Sequence, residues 1–206
     1  ANMAVTTAQS QIESGKAKPY THNSMQAARI WRAYLMSELT DNFGPIPIDG
    51  FQGINPEFKD VKTAYYFMLQ ELKEATAAID ESVTVPANVA KLDPAYGYDY
   101  AKWKKYGNSL RLRLAMRLSE VDPAKAKAEF EDAATQPLIT TAADVFKVQE
   151  KGGWDPLTGV MSREWNGQQI SATINNLFVG LGGVATAEQV RDELKPAIKP
   201  DNYMGI

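Results

Sequence analysis

The sequence has no cysteine and one histidine, His22. The first absence excludes disulfides, thiolate zinc sites and thiol catalysis. The second removes histidine-based triads and multi-histidine metal sites, unless that one residue serves. His22 reads more simply as a residue at a helix start or on the surface. No apolar run approaches the roughly 20 residues that span a bilayer, and the N-terminus lacks the charged-then-apolar pattern of a signal peptide. A chain that is exported is therefore expected to be a mature or trimmed form. The phosphate-loop pattern GxxxxGK[ST] and the pattern GxGxxG are missing, and Gly180-Leu181-Gly182-Gly183 follows a helical pattern where a phosphate cradle needs a strand. Ser109, Ser162 and Ser171 have no nucleophile-elbow setting. Nucleic-acid binding has no footprint either, because the net charge is -3 and basic residues are spread through the chain.

What is present is an ordinary globular composition, 44% hydrophobic and 23% charged over 206 residues, enough for one good core. The chain is organised around Lys102 to Glu120. At about 100° per residue, Trp103, Tyr106, Leu110, Leu114 and Leu118 share one arc, while Leu112 and Met116 fall opposite. A helix apolar on two sides must be enclosed by neighbours, as inner helices of stacked helix pairs are. Arg113 and Arg117 lie beside the main arc, where a buried guanidinium must find a carboxylate or carbonyl. With Trp103 and Asp41 they are expected to be structural anchors, and core packing is also the expected role of Trp31.

Residues 1 to 18 are small and polar, with too few apolar positions to hold a helix unaided. Asn23 or Ser24 can cap a helix over about 24–40, with Ala27, Ile30, Trp31, Tyr34, Leu35 and Leu39 on one face. Pro45 to Pro56 then reads as a long surface loop. Asn55-Pro56 sets a cap for a helix over about 57–80, and a second long connection, 83–99, leads into the central helix, 101–120. Asp122-Pro123 starts another helix at once, 123–134, which forces an antiparallel hairpin. Val145, Phe146 and Val148 fit a short strand. Further helices are expected over 171–181 and 187–194, the last with a Thr186/Gln189 capping box. The fold expected is all-α, one domain over 1–206.

The remaining chemistry is aromatic. Trp154 and Trp165, with Asn166, Gln168 and Gln169, sit in a glycine-rich stretch, and Tyr96, Tyr98 and Tyr100 form a second cluster. Indole or phenol rings beside amides suit sugars, since a ring stacks on the apolar C–H face while amides match hydroxyls. The same aromatics would equally serve as lids folded over helix ends. Paired carboxylates among Asp41, Asp49, Glu57, Asp155 and Glu164 have no positive signal for hydrolysis.

Three motifs carry a resemblance. Arg29-Ile-Trp-Arg-Ala-Tyr34 leading into Leu39-Thr-Asp-Asn-Phe-Gly-Pro-Ile-Pro47 resembles a conserved-order segment of the SusD/RagB-like nutrient-binding outer-membrane lipoproteins. Asn55-Pro-Glu-Phe58 with Tyr65-Tyr-Phe-Met-Leu-Gln-Glu-Leu72 is similar to that family's next helix. Trp103-Lys-Lys-Tyr-Gly-Asn-Ser-Leu-Arg-Leu-Arg-Leu-Ala-Met-Arg117 is the closest match. Gly107 stands where the family usually has alanine, and Pro45 where it often has aspartate. The resemblance implies tetratricopeptide-like stacked helix pairs with long irregular loops. It implies a non-catalytic, cofactor-free role at the cell surface, binding oligosaccharide or another nutrient and capping a TonB-dependent SusC-like barrel of the outer membrane. Family members are longer and begin at a lipid-anchored cysteine, so the chain is expected to be an internal fragment. A helical-repeat adaptor for a protein ligand and, less readily, a glycan-degrading enzyme stay open beside this reading.

Overall fold

The computed structural model describes residues 1–48 and 56–148. The chain divides into two compact units, Ala1–Gln149 and Glu150–Ile206, and the described residues lie in the first. The helices expected over 171–181 and 187–194 fall outside them.

Among the described residues six α-helices follow in order: α1 (Asn2–Glu13), α2 (Thr21–Phe43), α3 (Val61–Ala77), the single turn α4 (Ala87–Ala90), α5 (Tyr100–Met116) and α6 (Pro123–Ala134). Each of the long helices packs on its neighbour in sequence, α1 on α2, α2 on α3, α3 on α5 and α5 on α6. That is the all-α stack of helix pairs the spacing and the motifs predict. A two-residue antiparallel ribbon, β1 (Ile46–Pro47) with β2 (Phe58–Lys59), pairs Ile46 with Lys59 and closes the base of the loop between α2 and α3.

The helix starts are set by aspartates. Asp60, Asp99 and Asp122 each accept a hydrogen bond from the backbone N–H three residues on, at Thr63 (2.7 Å), Lys102 (3.1 Å) and Lys125 (3.2 Å). The cap of α3 is thus Asp60 rather than Asn55, because the chain from Pro56 runs first into β2. Pro123 occupies the first turn of α6, where its missing N–H costs nothing. α2 stops at Gly44, whose φ of 79° lies in the left-handed region, with its N–H bonded to Thr40 O.

Burial corrects two faces. In α2 the inward line is Ile30, Ala33, Ser37 and Thr40, while Leu35 and Leu39 face outward. The small polar pair is tolerated because Ser37 donates to Tyr34 O and Thr40 to Gly44 O, both at 2.7 Å. The main arc is buried at Trp103, Leu110 and Leu114 of α5 and at Leu118 just beyond it, and a second flank of α5 is indeed enclosed. That flank is Gly107, Asn108, Arg111 and Ala115, not Leu112 and Met116, and Met116 is 54% exposed. The helix ends at Met116, short of 120, and Arg117 to Val121 form a tight turn.

The anchors are redistributed accordingly. Arg113 projects outward, 55% exposed, and reaches Glu38 only at 3.5 Å, so its expected burial does not hold. Arg117 is half-exposed, yet it meets the expected carboxylate: its Nη2 lies 2.8 Å from Asp41, and its Nε donates to Tyr65 Oη at 2.9 Å. The buried guanidinium is Arg111, one of the least exposed side chains of the core. It donates to Glu129 through Nε (2.8 Å) and Nη2, and its Nη1 lies 2.6 Å from Asp132. Lys125 and Lys73 complete this network from α6 and α3. A matching cluster, Arg29 and Arg32 on Glu71 with Glu74, ties α2 to α3.

Candidate functional site

The connection between α4 and α5 is shaped by one carboxylate. Buried Asp93 accepts the N–H groups of Ala95 (3.0 Å) and Tyr96 (3.3 Å) on Oδ1, and those of Tyr98 (2.8 Å) and the Trp103 indole (2.7 Å) on Oδ2. Four donors on one carboxylate fold the loop over the start of α5 and lock the indole of Trp103 in place. The turn is completed by two successive left-handed residues, Gly97 (φ 62°) and Tyr98 (φ 59°). A tyrosine in that region is held against its own backbone preference, and such strain is common where side chains are presented for binding.

Beside this loop lies a cleft of about 450 Å³. It is lined by alanines of α1 and α2, among them Ala4, Ala8 and Ala28, and by Trp31, Tyr98 and Phe146. The small side chains leave the space and the rings define it. Its volume lies within the range of ordinary small-molecule sites.

Behind the cleft the aromatics pack on one another. The ring of Phe146 is stacked between Trp31 (5.5 Å, 16°) and Tyr106 (4.4 Å, 23°). Tyr96 meets Trp103 and Phe146 edge-on, at 5.6 and 5.4 Å, and donates its hydroxyl to Asp144 O at 2.8 Å. Residues 142–144 form a 3-10 turn fixed by Lys105 on Asp144 (2.9 Å), and 145–148 run on without strand pairing among the described residues. The strand expected there is therefore replaced by a segment that delivers Phe146 to the cluster. Burial pushes the Tyr96 hydroxyl up to about 12, with help from Asp144 and Asp93. The Tyr98 hydroxyl is raised by the same causes, burial first and then Asp93.

The expected ligand-binding residues thus fall in three places. Tyr98 lines the cleft, Tyr96 is folded into the ring cluster behind it, and Trp154, Trp165, Asn166 and Gln168 lie outside the described residues. Trp31 and Phe146, which face the cleft, were not singled out for binding, because helical spacing and a strand pattern marked both as packing residues. Among the described residues no group of three or more His, Asp or Glu side chains is placed to hold a metal ion, and no helix is long and apolar enough to cross a membrane. His22 is exposed near the start of α2.

A stack of tetratricopeptide-like helix pairs bearing a ring-walled cleft at its loops has the form of a scaffold that presents a surface. The sequence matches the SusD-like family, described as SusD and RagB outer membrane lipoproteins, over residues 1–205, and the chain belongs to that family. Among solved structures it is similar to a SusD homologue from Parabacteroides distasonis, at 37% identity over 68% of this chain and 28% of that one, with a TM-score of 0.60. A SusD homologue from Bacteroides uniformis matches at 30% identity, 72% and 30% coverage and a TM-score of 0.63. A chitin-binding SusD homologue from Flavobacterium johnsoniae matches at 28% identity, 81% and 36% coverage and a TM-score of 0.68. The chain spans between 28% and 36% of the length of these three proteins. No curated protein matches the sequence.

Proposed function

We propose that this chain is the helical scaffold of a cell-surface glycan-binding protein of the SusD type. In this reading it captures oligosaccharide without cleaving it and passes it to a TonB-dependent SusC-like barrel. The observation that carries the reading is the cleft bounded by Trp31, Tyr98 and Phe146, in a chain whose family includes a chitin-binding homologue of similar fold. The faces of Trp31 and Phe146 are engaged with each other and with Tyr34 and Tyr106, so these rings give the cleft apolar wall, while Tyr98 supplies a ring for the C–H face of a pyranose and a hydroxyl as polar partner. Trp154 and Trp165, beside Asn166 and Gln168, add further ring and amide chemistry of the same kind.

Calorimetric titration of the chain with chito-, malto- and xylo-oligosaccharides tests this. Saturable binding of one series is expected, weakened about tenfold or more by Tyr98→Ala, the loss of one stacked ring plus a hydrogen bond. Absence of binding across the panel would overturn glycan capture. Release of shortened sugars during the titration would overturn the non-catalytic part.

A further inference from the structure

The second large cavity of the described residues, about 500 Å³, lies where the end of α2, the start of α3 and the turn after α5 converge. Its polar lining is already paired. Tyr65 Oη donates to Asp41 at 2.6 Å and accepts from Arg117 Nε at 2.9 Å, while Arg117 Nη2 lies 2.8 Å from the other Asp41 oxygen. These three groups form a closed ring of contacts that fixes each of them. Across the cavity Tyr66 donates to Asp122, and the Lys62 ammonium lies 3.9 Å from the same carboxylate. Val61, Leu118 and Val121 supply the apolar part of the lining, and Val121 is 78% exposed.

From this lining we infer a second binding site, one that takes a neutral, hydroxyl-rich ligand of about disaccharide size. The charges decide the class. Two cations, Arg117 and Lys62, face two carboxylates, Asp41 and Asp122, so the lining carries no net charge that would select an anion or a cation. Of the five N–H donors of a guanidinium, Arg117 gives one to Tyr65 and keeps Nη2 in an ion pair with Asp41, which leaves further donors for ligand oxygens. Each Asp41 oxygen likewise keeps acceptor capacity. A fixed donor beside a fixed acceptor is what a hydroxyl, which both gives and takes a hydrogen bond, is matched to. The apolar strip then receives the C–H face of the ring. This site stands on its own lining, and nothing in it depends on the cleft at Tyr98.

The test is an NMR titration of the full chain, following backbone amides, with maltotriose, cellotriose and triacetylchitotriose as probes. Saturable shifts are expected at Lys62, Leu118 and Val121 with at least one probe, weakened about tenfold in Tyr65→Phe and in Arg117→Met. Tyr65→Phe keeps the buried ring, so the test survives if Arg117→Met unfolds. Shifts confined to Leu92–Tyr98, or affinities at Val121 unchanged in Tyr65→Phe, would overturn the second site while leaving the cleft reading in place. A stronger response at these amides to sodium acetate than to any sugar would overturn the neutral-ligand assignment.

Discussion

Arg111 is the residue on which the inner end of the stack turns. Its guanidinium is buried between Glu129 and Asp132, and Lys125 and Lys73 pair with the same two carboxylates. Removing Arg111 leaves buried Glu129 with Lys125 as its cationic partner, and losing a hydrogen bond to a charged group costs about 1.5–3 kcal/mol. Arg111→Met should therefore lower the melting temperature sharply, whereas Arg113→Ala, on an exposed side chain, should change stability by no more than about 0.5 kcal/mol. Thermal unfolding of the two variants checks both. The same cluster sets an acid limit. Burial alone would raise the Glu129 carboxyl, but hydrogen bonds from Lys125 and Arg111 bring it below its ordinary 4.5. Asp132 is held below 3.8 by hydrogen bonds from Arg111 and Lys73. Groups whose folded values are depressed stabilise the fold above their ordinary range and lose that contribution as pH falls through the folded values. Stability should accordingly decline as pH falls below about 4, and Arg111→Met should flatten that decline in a series of melting curves.

At the scale of the element, α5 owes its place to Gly107. A methyl group added there would sit 2.4 Å from Thr76 Cγ2 and 3.0 Å from Ile30 Cδ1, so α2 and α3 approach α5 more closely than alanine allows. Alanine favours the helix by about 1 kcal/mol over glycine, but Thr76 cannot turn aside, because its hydroxyl is tied to Leu72 O at 2.8 Å. Overpacking of this kind costs about 1–3 kcal/mol, so Gly107→Ala should be net destabilising. Adding Thr76→Ser, which removes the obstructing methyl, should restore most of the loss. A double-mutant cycle by chemical denaturation reads the coupling, and simple additivity would show that the close approach is not the cause. The departure from the family's usual alanine was legible in the sequence, while its meaning was not. Spacing located α2, α3, α5 and α6 and the enclosure of α5, since large apolar residues recur at helical intervals in each. It misassigned the faces where burial falls on small or charged residues, at Ser37, Thr40, Gly107 and Arg111. Periodicity weighs side chains by hydrophobicity, and a buried ion pair or glycine contact carries no such weight. It also missed Asp60, because a cap is chosen by where the ribbon ends and not by the nearest proline.

For the molecule as a whole, the cleft was legible only in part. The run of tyrosines marked the loop, and Tyr98 stands at the wall, but the approach of Trp31 and Phe146 depends on pairing across more than a hundred residues. Among the described residues, the buried apolar cluster runs from Ala27 to Ala126 and Lys105 pairs with Asp144, and all of these residues belong to the first unit. A chain ending at residue 149 should therefore keep its helical circular-dichroism signal and unfold cooperatively on heating, and a broad, non-cooperative melt would show that its core is insufficient. Such a chain also separates two sources of glycan affinity. It retains Trp31, Tyr98 and Phe146 and lacks Trp154 and Trp165. Measured beside the full chain by calorimetry, the shortened chain should still bind the same oligosaccharide, because the cleft residues Trp31, Tyr98 and Phe146 all lie in it. Complete loss would assign the binding energy to Trp154 and Trp165, and unchanged affinity would assign it to the cleft alone.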